Sequence, residues 1–350
     1  MQRHRSWRKA AFSAVALVAT LLPAYIAGEV GYRSLHGIPV LPVRHGIDPD
    51  RRALSGQDTS AMDFGSVYYY EIFRESANPV LFYEPRPGFA RGAVRINSHG
   101  FRDREFTPAK PSGTMRIVVL GDSVIWGHGI VVEDTFAKQL ESLLAEHFVG
   151  RFEVLNFGVS GYSLQQEIEL FFERARHFDP DIVILGTSVN DLQYSSLEGD
   201  FFRGQASGIL QKSYLADALA ASTSYLLTRY LDVPPRYLER VVDVEFHLAR
   251  AKRAAPHVGW MVLMFPLLEN FQNYDLQWYH DAVIHPAREL GFVVRDLRYD
   301  FQRFPEAELG IDHIHPSRFG NQIAAYAALD TLRSSGLLRV VPRSARAAGR

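Results

Sequence analysis

From Thr114 onward the sequence alternates five short apolar runs with longer segments whose apolar residues recur at helical spacing. The runs are RIVVLG, FEVLNFG, DIVILGT, GWMVLMFP and GFVVRDL. Between and after them lie EDTFAKQLESLLAEHF, LQQEIELFFERARHF, RYLERVVDVEFHLARAK, YHDAVIHPAREL and GNQIAAYAALDTLRSSG. Runs too apolar to face water on either side, separated by amphipathic helices, predict a parallel sheet covered on both faces. Right-handed crossovers then gather all strand C-termini on one edge, where open α/β sheets bind their ligands. Chemistry is therefore expected in the residues just after each run.

Four features sit there. Ser123 follows the first run in LGDSVIWG, Gly158 and Gly161 follow the second in LNFGVSGYS, and Asn190 follows the third in GTSVNDL. Near the C-terminus, GIDHIHPS sets Asp312 and His315 three residues apart. A serine hydroxyl is a weak nucleophile at neutral pH and needs an adjacent base. His315 is the candidate base, and Asp312 can accept its other ring N–H and steady the imidazolium. The oxyanion formed on attack needs preorganised donors, for which the backbone N–H groups of Ser123 and Gly161 and the side-chain amide of Asn190 are candidates. Asp122 is expected to shape the turn rather than to react, and Asn156 to tie down its loop.

The same residues admit other readings. Asp312, His313 and His315 suggest a metal, but no helical pair of further ligands accompanies them, so no metal is expected. Ser160 in GVSGY is a rival nucleophile, but Tyr162 stands where a Gly-x-Ser-x-Gly elbow needs its last glycine. Trp126, Phe157 and Tyr162 are read as core.

The four blocks, in this order over about Arg116 to Ala328, resemble the SGNH hydrolases, also called the GDSL esterase/lipase superfamily. The resemblance implies a flavodoxin-like three-layer sandwich around a five-stranded parallel sheet, an acyl-serine mechanism with no cofactor, and ester bonds as the target. It also carries a departure. The family's third block is commonly Gly-x-Asn-Asp, whereas Gly186 here is separated from Asn190 by TSV. Asn190 is therefore assigned from its pairing with Asp191 and its place after a strand, and Gly186 receives no role.

Ahead of this domain, Arg3, Arg5, Arg8 and Lys9 precede an apolar stretch from Ala10 to Ala27. Its length of about 18 residues is near the lower limit for crossing a bilayer, and no A-x-A site follows. Residues 1–27 are accordingly expected to form a retained signal anchor. The basic flank is expected to stay in the cytoplasm, which puts everything after Glu29 outside; the resemblance to a membrane-anchored bacterial type of that superfamily implies the periplasmic side of a bacterial inner membrane. Residues 28–113, broken by Pro and Gly, read as a membrane-proximal connector packed on the main domain, with AVRINSHGFRD supplying a short strand and turn. Residues 114–340 form the hydrolase domain, with a helical insertion at about 195–235, and 341–350 form a basic tail.

A net charge of −1 with no basic stripe excludes nucleic acid as an expected partner, and the absence of cysteine excludes thiolate catalysis and disulfides. The leading expectation is a membrane-tethered serine esterase acting on O-acyl esters of an envelope glycan, a lipid or a small molecule. An acyltransferase that moves the same acyl group to a glycan hydroxyl would use the same residues, and the sequence leaves the two open. A catalytically idle carbohydrate-binding module would need neither a base nor an oxyanion donor.

Overall fold

The computed structural model describes residues 27–28, 30, 69–189, 191–192, 242–338 and 341–342. The chain divides into two compact units, 1–55 with 197–240 and 56–196 with 241–350. The sheet and the candidate site belong to the second. The expected anchor (residues 1–27, apart from Ala27) and the expected insertion at about 195–235 lie outside the described residues. Among the described helices none is long and apolar enough to cross a membrane.

The five apolar runs form β1 (Thr114–Gly121), β2 (Arg151–Gly158), β3 (Ile182–Thr187), β4 (Gly259–Met264) and β5 (Val293–Asp296). They lie in one sheet in the order β5-β4-β3-β1-β2, with every pair parallel. This is the flavodoxin-like order. Its direction reverses at β1 and β3, the place where a crevice opens beyond the strand ends. Val118, Val119 and Leu120 on β1 are wholly buried, as a strand covered on both faces requires. Each contributes about 1.5–3 kcal/mol through burial.

Six helices matter for the site: α1 (Ser123–Trp126), α2 (Phe136–His147), α3 (Leu164–Glu173), α4 (Val244–Ala254), α5 (Gln277–Glu289) and α6 (Arg318–Ser334). Helices α2 and α6 pack together, as α3 does with α4 and α4 with α5. The periodicity that predicted a helix from Arg236 continues only from Val244 among the described residues, where the Asp243 carboxylate caps the first turn by accepting from Phe246 N at 2.9 Å. Helix α5 begins earlier than YHDAVIHPAREL suggests and runs through Pro286.

Glycine is what lets α1 settle on the sheet. Gly158, Gly121 and Gly186 stand side by side in register at the ends of β2, β1 and β3. Ile125 of α1 lies across all three: an added Cβ would fall 2.3 Å from Ile125 Cγ1 at Gly121 and 2.4 Å from Ile125 Cδ1 at Gly186. At Gly158 it would meet the backbone nitrogen of Trp126 at 2.4 Å. Gly186, which the sequence left without a role, is thus required for packing.

Residues 71–106 lie against this framework. A hairpin pairs Phe73–Glu75 with Tyr83–Pro85, and a second pairs Ala90–Arg91 with Val94–Arg95. Their rings enter the core, with Phe73 at 5.5 Å from Trp126 and Phe101 at 3.8 Å from Phe157, centroid to centroid. Trp126, Phe157 and Tyr162 are buried. At the other end of the chain, Val341–Pro342 pairs antiparallel with Phe148–Val149.

Candidate active site

The turn after β1 is built by Asp122. Its Oδ1 accepts from Val124 N at 2.9 Å, while Oδ2 accepts from the Ser188 hydroxyl at 3.0 Å, so the carboxylate both caps α1 and joins the ends of β1 and β3. Ser123, the first residue of α1, is thereby held at the switch point. Asn156 secures the neighbouring strand end by donating from Nδ2 to Ile125 O at 2.9 Å and accepting from Gly158 N at 2.9 Å.

His315 arrives from the segment before α6. The Ser123 hydroxyl lies 2.9 Å from His315 Nε2, and His315 Nδ1 lies 2.7 Å from Asp312 Oδ2. Three residues predicted to act together therefore form one hydrogen-bonded line across a separation of 192 positions. Asp312 is fixed by more than the ring, because its Oδ1 also accepts the backbone N–H groups of Ile314 at 2.8 Å and His315 at 2.7 Å. Burial alone would raise its pKa, but these hydrogen bonds and the charge of His315 outweigh it and hold the carboxyl well below the usual range. It stays ionised through neutral pH and keeps the Nδ1 proton oriented, leaving Nε2 free to accept from Ser123. A second Asp–His pair, Asp296 Oδ1 with His280 Nδ1 at 2.9 Å, is buried and leads to the Tyr274 hydroxyl at 2.8 Å from Nε2 instead of to a serine.

Gly161 adopts a left-handed conformation at φ 80°. The backbone N–H groups of Ser123 and Gly161 donate to no acceptor among the described residues. Asn190 lies outside them. Its neighbours are anchored, since Ser188 N donates to Asp191 Oδ2 at 2.6 Å and Leu192 N to the Tyr279 hydroxyl at 2.7 Å. His313, the residue beside the candidate base, is exposed, and its carbonyl accepts from Leu268 N at 2.8 Å.

Several site residues escaped the sequence reading. Arg102 is buried and donates to the carbonyls of Trp126 (2.8 Å), Gly127 (2.9 Å) and Ile130 (2.5 Å), fixing the loop beyond Ser123. Tyr83 donates to Ser160 O at 2.8 Å, and Tyr162 donates back to Tyr83 O, so the loop carrying Gly161 is tied to the N-terminal hairpin. His128 packs its ring on that of His315, with centroids 4.4 Å apart.

Behind the turn lie three acids that the sequence reading had not joined: Asp122, Glu167 and Asp191, all wholly buried. Both oxygens of Glu167 and Oδ1 of Asp191 lack a hydrogen-bond partner among the described residues. Burial first, then the charge of Asp122, pushes the Glu167 carboxyl well above its ordinary range; burial, Glu167 and Asp122 do the same to Asp191 despite the Ser188 N–H. The folded chain thus keeps protons that the unfolded chain releases near pH 4. Because the folded state binds more protons, stability falls as pH rises from about 4 toward the raised native pKa values, by about 1.4 kcal/mol per pH unit for each retained proton. Glu167→Gln keeps the shape without the titration. Its melting temperature is expected to decline less steeply than the wild type's from pH 5 to 8, and parallel profiles would refute the assignment.

A family model for GDSL-like lipase/acylhydrolase covers residues 119–323, more than half of the chain. The chain belongs to this family. The match runs from β1 into α6 and so takes in every element that carries a residue of the Ser123–His315–Asp312 line. No curated protein matches this GDSL-family chain in sequence. Among solved structures it is similar to a lipase/acylhydrolase from Enterococcus faecalis at 15% identity, covering 65% of this chain and 98% of that one with a TM-score of 0.43. It is similar also to a catalytic mutant of an acetylxylan esterase from Geobacillus stearothermophilus at 18% identity, covering 65% and 96% with a TM-score of 0.43. A third is an α/β hydrolase from the metagenome of Lake Arreo, Spain, at 18% identity, covering 64% and 96% with a TM-score of 0.42.

Proposed function

We propose that this GDSL-family chain is a serine esterase, tethered by its N-terminus to the outer face of a bacterial inner membrane, that cleaves O-acyl esters of an envelope glycan, a lipid or a small molecule. The observation that carries the catalytic part is the continuous line from Ser123 Oγ through His315 to Asp312. In this reading Ser123 Oγ attacks the ester carbonyl carbon as its proton passes to His315 Nε2. The carbonyl oxygen becomes an oxyanion facing the open N–H groups of Ser123 and Gly161, with the Asn190 amide as the third donor. Collapse breaks the C–O bond, and the departing alcohol takes the proton from His315. Water then repeats the sequence on the acyl-serine, releasing the carboxylic acid and restoring Ser123. A glycan hydroxyl in place of that water would make the chain an acyltransferase.

The tether is supported by the basic flank at Arg3, Arg5, Arg8 and Lys9 and by the apolar stretch that follows. One experiment tests both parts. A membrane-impermeant fluorophosphonate added to intact spheroplasts is expected to label the wild-type chain in the membrane pellet and to leave Ser123→Ala unlabelled. Equal labelling of both removes Ser123 from the mechanism. Label found in the soluble fraction removes the tether, and label gained only after lysis reverses its sidedness.

A further inference from the structure

Two loops from distant parts of the chain meet above Ser123, and they touch at two consecutive residues. His128 lays its ring on His315 at a centroid distance of 4.4 Å and a tilt of 32°. Gly129, at φ 74°, has no room for a side chain, because a Cβ there would fall 2.0 Å from Ile311 Cδ1. Neither loop is loose. Arg102 holds the carbonyls of residues 126, 127 and 130, and His128 N donates to Ser123 O at 3.1 Å. On the facing side, Ile311 N donates to His315 O at 2.9 Å, and Gly310 bridges Pro316. His128 is thus delivered to His315 by a rigid support.

We propose that His128 is a positioning residue of the esterase site, whose ring keeps the His315 imidazole in line between Ser123 and Asp312 and whose π face stabilises the imidazolium formed when Ser123 gives up its proton. The proposal rests on the reading of His315 as the base. A ring can serve this way only while it is uncharged, since a second imidazolium at stacking distance would repel the first. The surroundings meet that condition: burial first, then the charges of His315 and Arg102, push the His128 pKa down to about 4, against the pull of Asp312.

The test measures hydrolysis of p-nitrophenyl acetate by the full chain carrying His128→Ala, His128→Leu or His128→Phe, with melting temperature as the control for folding. His128→Ala is expected to lower kcat by about tenfold with KM within twofold of wild type. His128→Phe, which restores an aromatic face, should return to within about threefold, and His128→Leu, which fills space without one, should stay impaired. A kcat for His128→Ala within twofold of wild type overturns the proposal. So does a change confined to KM, or a His128→Phe as impaired as His128→Leu. Should His128→Ala fail to fold, the comparison of Phe with Leu decides alone. Activity surviving in His315→Ala would instead remove the base on which the proposal stands, so the two failures are distinguishable.

Discussion

His315→Ala is expected to lower kcat/KM by at least about three orders of magnitude while leaving the melting temperature nearly unchanged. The expectation follows from the geometry at Nε2, which sits 2.9 Å from the Ser123 hydroxyl and is the ring nitrogen that faces it. Without that acceptor the serine must lose its proton to water, and residues acting as one unit fail together when any member is removed. Ser123→Ala should cost as much, and the double variant little more than either alone. A residual rate within tenfold of wild type in His315→Ala would mean that another group takes the proton. The side chain is mostly covered, and its hydrogen bonds and ring contact run to Asp312, Ser123 and His128, so a loss of activity accompanied by a collapse in melting temperature would point away from a chemical role.

Arg102→Met is expected to produce the largest loss of stability among substitutions near the site. The guanidinium is completely buried and serves three carbonyl oxygens, those of Trp126, Gly127 and Ile130. Methionine fills the space and strands the carbonyls of Trp126 and Ile130, while Gly127 O keeps the backbone N–H of Ile130 at 3.3 Å. At about 1–3 kcal/mol for each buried acceptor left unpaired, the loss is at least about 2 kcal/mol. For a domain of this size that corresponds to a melting temperature lower by about 4–8 °C. Burial lowers the Arg102 pKa to about 10, with Glu133 opposing the shift, so the group stays charged at neutral pH and its donors remain available. Arg102→Lys should recover only part of the loss, because a single ammonium cannot span three carbonyls as the planar fork does. Thermal unfolding checks both variants, and a change below about 1 kcal/mol for Arg102→Met would show that the loop holds itself.

Much of this molecule was legible before any coordinates. The central runs became strands because a doubly covered strand is apolar along most of its length, a pattern that survives in a single sequence, while the edge strand β5 is only half-buried and keeps Arg295 and Asp296. That Ser123, His315 and Asp312 would meet was legible because few residue types can partner a serine in this way, and the structure sets them in one hydrogen-bonded line. Asp122 followed from turn chemistry, and its carboxylate does cap α1. What stayed hidden acts through contacts between distant segments. Gly186 seemed idle because its reason is Ile125, which reaches it from another element. Arg102 and Tyr83 lay in a stretch broken by Pro and Gly, where no periodicity marks a buried cation or a ring. No local pattern marks His128, and only the packing of two loops sets it against His315. Glu167 had the spacing of a helix residue, and nothing local announces that it is sealed beside Asp122 and Asp191.

The row of Gly158, Gly121 and Gly186 under Ile125 leaves this edge of the sheet no room for side chains. A methyl group at Gly158 would meet the backbone of Trp126 and lift α1 with Ser123 on it, and one at Gly121 or Gly186 would displace the Ile125 side chain that seats the helix.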